Sequence, residues 1–150
     1  MSQSTVTNLL HIVFSTKNRV EIIREETEDE LYKYMSGIFR NKQSPCIAIN
    51  GTSNHVHMLV SLSKNIALAD IMEDLKKDSS KWIKTKGDWY RDFHWQDGYG
   101  AFSIGQSGVS ALKEYIAKQK EHHKKVRFED EFVALLKKYK VEYDERYLWS

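Results

Sequence analysis

The stretch "GTSNHVHMLVSL" at residues 51–62 constrains this chain more than any other. It follows the apolar run "PCIAING" across a glycine and a turn-forming Thr-Ser-Asn, so the two runs read as a β-hairpin. Side chains alternate across a strand. Val56, Met58, Val60 and Leu62 therefore share one face, and His55, His57, Leu59 and Ser61 the other. The first face is wholly apolar and needs helices over it. The second begins with two imidazoles one residue apart, and something further has to cover it.

The other elements supply both covers. "NLLHIVFSTKNR" (8–19) reads as a strand running into a polar loop. "REETEDELYKYMSGIFRNK" (24–42) opens on acids, closes on basic residues, and places Leu31, Tyr34, Met35, Ile38 and Phe39 at helical spacing. "ALADIMEDLKKDSSKWIKTK" (67–86) is a second amphipathic helix, and after Gly87 "FHWQDGYGAFSI" is strand-like, with turn glycines at 98 and 100. A third helix spans "SGVSALKEYIAKQKEHHKK" (107–125), and a short fourth spans residues 128–139. The order β-α-β-β-α-β followed by helices is that of an α+β, ferredoxin-like (RRM-like) split βαβ fold. Two helices cover one face of an antiparallel sheet, and the third helix is expected over the histidines. The 150 residues, 41% of them hydrophobic, are enough for one domain with a real core and too few to expect two. Residues 1–150 are read as that domain, with about 128–150 a C-terminal helical extension.

Composition narrows the setting. No apolar run approaches the roughly 20 residues that span a bilayer, no signal-peptide core is evident, and Cys46 is the single cysteine. A cytoplasmic protein without a membrane partner is expected. The net charge of +2 is small, but it is segregated. Residues 76–91 hold six basic residues against two acidic ones, and so do residues 113–127. Either segment alone reads as a solvated helix face; together they favour a polyanionic partner.

On the third helix, Val109, Leu112 and Ile116 form an apolar stripe beside a second one of Ala111, Tyr115, Gln119 and His122. Tyr115 and Gln119 thus lie one turn apart. Imidazoles at alternate strand positions can converge on one divalent cation and leave positions open for substrate oxygens. Gln119 can add a neutral oxygen ligand, which leaves the ion its full charge to polarise a phosphate. A tyrosine beside it can attack phosphorus and store the bond energy as a phosphotyrosine. A phenol's pKa of about 10 means that the metal and nearby lysines have to assist its deprotonation. The plainer readings are a half-buried histidine pair on a strand and a helical tyrosine that belongs to the core. His11, His94, His122 and His123 have no comparable spacing.

Taken in order, "HIVFSTKNR", "NHVHMLV", "WQDGYGAFSI" and "YIAKQ" resemble the single-tyrosine transposases of the HUH (His-hydrophobic-His) superfamily, the TnpA type of insertion sequences and their repeat-associated relatives. The resemblance spans roughly residues 8–149 and implies a ferredoxin-like fold. It assigns His55 and His57 to Mg²⁺ or Mn²⁺, Gln119 to the third ligand position and Tyr115 to the nucleophile. Such enzymes act on single-stranded DNA marked by hairpins. They cleave through a 5′-phosphotyrosine with release of a 3′-OH, and they rejoin strands without a nucleotide cofactor. The resemblance also implies a homodimer, commonly with active sites completed in trans. Lys17, Arg19, Lys76, Lys77, Lys81, Lys84, Arg91 and Lys118 are the expected DNA contacts, with Trp82, Trp89 and Tyr90 interleaved as stacking candidates. Trp95 and Gln96 fit either a structural role or a place beside the site. The tail, ending in "YDERYLW", resembles that of a subset of these relatives, and Phe132, Leu135 and Leu136 are expected to pack on the sheet. Two alternatives stand beside this reading. "YIAK" also fits the Tyr-x-x-Lys pattern of rolling-circle replication initiators, and a domesticated protein would bind DNA or RNA hairpins without cutting.

Overall fold

The computed structural model describes residues 3–149. Four strands, β1 (Leu9–Ser15), β2 (Cys46–Gly51), β3 (His55–Ser61) and β4 (Gly100–Ile104), form one antiparallel sheet in the order β2-β3-β1-β4. With helices α1 (Glu25–Asn41) and α2 (Leu68–Lys84), this is the ferredoxin-like arrangement. Two observed elements are shorter than the sequence suggested. Of "FHWQDGYGAFSI" only Gly100–Ile104 joins the sheet, because residues 93–98 are spent on a loop that Trp95 and Gln96 pin to the end of β1. The expected third helix divides into α3 (Val109–Ala117) and the single turn α4 (Gln119–His122), followed by α5 (Phe128–Lys138). Among the described residues, no helix is long and apolar enough to cross a membrane.

Strand alternation divides the core in two. Ile12, Phe14, Val56, Met58 and Val60 pack under α1 and α2 with Leu31, Met35, Phe39, Met72 and Leu75. On the opposite face, Leu9 and Leu59 take Leu112 and Ile116 of α3, while Val13 and Phe102 take Phe128, Phe132 and Leu136 of α5. The C-terminal extension therefore packs on the sheet through Phe132 and Leu136, with Leu135 half-buried at its edge.

Two glycines are needed where they stand. A Cβ on Gly51 would lie 2.1 Å from the His55 carbonyl oxygen, so the hairpin closes this tightly only without a side chain. A Cβ on Gly100 would meet the rings of Phe132 and Phe102 at 3.1 and 3.2 Å. Its absence lets α5 settle against β4, and α5 carries a residue that the sequence did not single out.

Candidate active site

Pairing register brings the polar residues of the open face together. His57 lies opposite Val13 of β1 and Asn50 of β2, and His55 opposite Ser15, so both imidazoles project from the sheet toward α3, α4 and α5. Both are fully buried. The Asn54 side-chain N–H donates to the Arg19 carbonyl at 3.3 Å, which turns its Oδ1 to His55 Nδ1 at 2.8 Å. Thr52 Oγ1 lies 3.0 Å from the same nitrogen and spends its own proton on Asn54 Oδ1 at 3.1 Å, so two acceptors face Nδ1; they favour a proton there, which leaves the Nε2 lone pair facing the site.

Tyr115 lies in the last turn of α3, half-buried, with its ring centroid 5.7 Å from that of His57 of the same chain. The helix is interrupted at Lys118. Asn50 Nδ2 donates to the Ile116 carbonyl at 3.0 Å and to the Ala117 carbonyl at 3.3 Å, taking up acceptors that a continuous helix would use. The break turns Gln119 inward, fully buried, with its Oε1 3.1 Å from His55 Nε2. All four residues expected at the site, His55, His57, Tyr115 and Gln119, thus meet within one chain. Lys118 does not join them: it pairs with exposed Glu114 at 2.8 Å.

Glu131 of α5 occupies the centre. Its Oε1 is 2.9 Å from His57 Nε2, 2.9 Å from His123 Nε2 and 3.7 Å from His55 Nε2. Its Oε2 accepts from the Tyr115 hydroxyl and, at 3.2 Å, from Gln119 Nε2. Neither His123 nor Glu131 has a motif around it. The only signal in the sequence was that Glu131 lies between Phe128 and Phe132, whose burial fixes which way the turn faces.

Burial, with the neighbouring rings of His57 and His123, lowers the pKa of His55 to about 3. Burial next to His57 does the same for His11, also to about 3, and burial lowers that of His57. These imidazoles are neutral, the form that binds metal. For Glu131, burial acts to raise the pKa, but hydrogen bonds from His123, His57 and Tyr115 prevail and hold it well below the usual carboxylate range. Burial and the Glu131 carboxylate both raise the Tyr115 phenol, so its hydroxyl is protonated.

One contact tests whether a cation fits. His55 Nε2 presents a lone pair to Gln119 Oε1, another acceptor, and turning the amide over would press that oxygen on Glu131 instead. In either orientation two acceptors face each other, an arrangement that a cation relieves. His55, His57, His123 and Glu131 also offer ligand atoms that all lie within 4.8 Å of one another. Imidazole and carboxylate bonds to a divalent ion of about 2.0–2.2 Å suit such a cluster with small shifts. The donors fit a divalent metal.

The family described as "Transposase IS200 like" matches residues 4–119, which contain the histidine pair, Tyr115 and Gln119. The chain belongs to the IS200-like transposases. No curated protein matches it. Among solved structures, it is similar to a candidate transposase from Deinococcus radiodurans R1, at 18% identity and a TM-score of 0.61, covering 79% of this chain and 96% of that one. It is also similar to a REP-associated tyrosine transposase bound to a REP hairpin, at 15% identity and a TM-score of 0.62, covering 84% of this chain and 76% of that one. At these identities the two structures bear on the fold.

The basic residues of this IS200-like transposase are distributed unevenly about the site. Lys76 is committed to structure. Its ammonium donates to the Gln96 carbonyl at 2.8 Å and to that of Gly98, and burial lowers its pKa to about 8. Lys77, Lys81 and Lys84 lie with it on α2, across the sheet from the histidines, and Arg91 is exposed in the loop that follows. Trp82 stacks on Tyr34 and Tyr90 is buried, which leaves Trp89 as the exposed aromatic of that run. Lys17 is exposed, whereas Arg19 lies over the Trp149 ring at 4.9 Å. Near the site, Arg19, Lys120, Lys124 and Arg127 line a groove of about 720 Å³ that reaches His123, and Glu21, Glu25, Glu28 and Glu129 line it with them; Lys120 pairs with Glu28 at 2.9 Å and Arg127 with Glu129 at 2.5 Å. Trp95 and Gln96 prove structural: Trp95 bridges Thr16, and Gln96 accepts from the Asn18 amide at 3.0 Å.

Proposed function

We propose that this IS200-like transposase cleaves and rejoins single-stranded DNA at hairpin-marked ends, with Tyr115 as nucleophile. The observation that carries the reading is the meeting, within one chain, of the Tyr115 hydroxyl, the neutral His55 and His57 pair and Gln119. His55, His57 and Gln119 would hold the Mg²⁺ or Mn²⁺, which supplies positive charge to the oxygens of the scissile phosphate. No nucleotide cofactor is required.

In the resting arrangement Tyr115 donates to Glu131. Substrate entry exchanges that partner for the phosphate. The tyrosyl oxygen then bonds to phosphorus, the bond to the 3′ oxygen breaks, and the phenolic proton leaves as the departing oxygen gains one to become the 3′-OH. Attack by a 3′-OH on the phosphotyrosine reverses the step, so a strand is rejoined with no external energy source.

The groove with Arg19, Lys120, Lys124 and Arg127 is the proposed path for the single strand, whose phosphates would take the place of Glu28 and Glu129 as partners of Lys120 and Arg127. Lys77, Lys81, Lys84 and Arg91 would meet the hairpin stem only if it wraps toward the α2 side. A second copy of the chain, the homodimer that the resemblance implies, is not needed to deliver Tyr115. Lys118 pairs outward with Glu114, which favours this reading over a rolling-circle initiator.

The test is a denaturing gel of end-labelled hairpin oligonucleotides from the flanks of the gene, with Mn²⁺, comparing wild type, Tyr115→Phe and His57→Ala. Wild type should yield cleaved strands and a protein-linked band; both variants should bind the hairpin and yield neither. Wild type that binds without cutting would favour the non-cleaving hairpin binder, a reading to which the hold of Glu131 on Tyr115 gives some support.

A further inference from the structure

His55 has Asn54 and Thr52 as its outer partners; the partner of His57 is another histidine. His11 lies on β1, 1% exposed, with Nε2 2.8 Å from His57 Nδ1. The two ring planes lie within 25° of each other, with centroids 5.1 Å apart. That spacing is what two edge-on imidazoles joined nitrogen to nitrogen give; stacked rings would lie closer. Phe102, with its centroid 6.1 Å away, and Tyr115, at 6.3 Å, wedge the His11 ring from two sides, so the contact is held by packing.

Two neutral imidazoles so joined share one bridging proton, and its position decides what His57 can do. If the proton is on His11 Nε2, His57 keeps its own proton on Nε2 and spends it on Glu131 Oε1 at 2.9 Å. If the proton is on His57 Nδ1, the His57 Nε2 lone pair is free to bind a cation. We propose that His11 is the positioning residue for His57: its Nε2 accepts the Nδ1 proton and so presents His57 Nε2 as a metal ligand. The change conserves protons. One leaves His57 Nε2, the bridging proton crosses to His57 Nδ1, and His11 takes one at Nδ1, so each ring ends with a single proton. Outer partners of metal-bound histidines are usually carboxylates, carbonyls or water, and they fix tautomer and ring angle. An imidazole can do so while also serving the metal-free state, since it donates in one arrangement and accepts in the other.

The inference rests on the metal reading of His55 and His57. Its test is calorimetric titration of the whole protein with Mn²⁺, using wild type, His11→Phe, His11→Gln and His57→Ala. Long-range proton–nitrogen NMR of wild type with Zn²⁺ as the diamagnetic probe completes it. His11→Phe keeps an aromatic ring but no acceptor, and its Mn²⁺ affinity should fall about 10- to 100-fold. His11→Gln places an oxygen near the position of Nε2 and should recover most of the loss. In zinc-loaded wild type the His57 proton should be found on Nδ1. Unchanged Mn²⁺ affinity in His11→Phe would overturn the proposal, as would a His11→Gln variant that melts like wild type yet binds no better than His11→Phe. So would a His57 proton that remains on Nε2 with metal bound, a readout that stands even if His11→Phe fails to fold. Wild type that takes up no Mn²⁺, or a His57→Ala variant that binds as wild type does, would remove the metal reading itself.

Discussion

At the residue scale, the site is governed by which nitrogen of each imidazole carries a proton. His55 and His57 alternate on one strand, so both rings reach the same space, but alternation says nothing of tautomer. Asn54 supplies that information for His55: its amide is anchored to the Arg19 carbonyl and leaves only its oxygen to face Nδ1. Asn54→Ala should therefore weaken Mn²⁺ binding by about 10-fold or more while leaving the fold intact. Calorimetry checks this, and an affinity equal to wild type would mean that Thr52 Oγ1, 3.0 Å from the same nitrogen, holds the ring without Asn54.

Among the elements, α5 does most to shape the site, because it supplies Glu131. Its apolar residues hold it on the sheet, and Phe132→Ala should cost about 3 kcal/mol of stability by denaturant titration, mostly by loosening α5 from Val13 and Phe102. The same packing delivers Glu131 to the histidines. A hydrogen bond to a charged group contributes about 1.5–3 kcal/mol, and in the proposed reaction the hold of Glu131 on Tyr115 is broken before a phosphate replaces it. Glu131→Ala should accordingly raise the rate of hairpin cleavage at saturating Mn²⁺ by roughly tenfold. A lower rate would mean that the carboxylate serves as a metal ligand, as its place in the His55, His57 and His123 cluster allows, or as proton acceptor. The strands and the first two helices were legible in the sequence because each carries its own periodicity. Tyr115 and Gln119 were legible through helical spacing, although the spacing overstates the regularity of the chain between them: Asn50, distant in sequence, ends the helix at Lys118. His123, Glu131 and His11 were not legible. Their places depend on sheet register and on the seating of α5 against Gly100, which are non-local. Lys76 looked like a phosphate contact for a related reason, since the loop carbonyls that claim it lie some 20 residues away.

For the whole molecule, the buried imidazoles couple stability to pH. His11 and His55 are held neutral, with values near 3 against an ordinary 6.5, so the unfolded chain binds protons that the folded chain refuses. Their contribution is complete above pH 6.5 and is lost as pH falls from there toward 3. Glu131, also depressed, adds to the loss below its ordinary value of 4.5. The melting temperature should hold steady from pH 8 to 7 and drop between pH 6.5 and 5, and the drop should shrink in His11→Gln; a flat profile would contradict the burial. Hairpin affinity should decline steeply with salt, and Arg127→Ala at the groove should reduce the log–log slope by about one. Covalent strand transfer to Tyr115 is tested by peptide mapping by mass spectrometry after incubation with Mn²⁺ and a cleavable flanking hairpin. Attack by Tyr115 should leave one modified peptide, carrying the 3′ fragment of the DNA through a 5′-phosphate on that residue. A covalent adduct on any other residue, or cleaved DNA with no adduct at all, would contradict it.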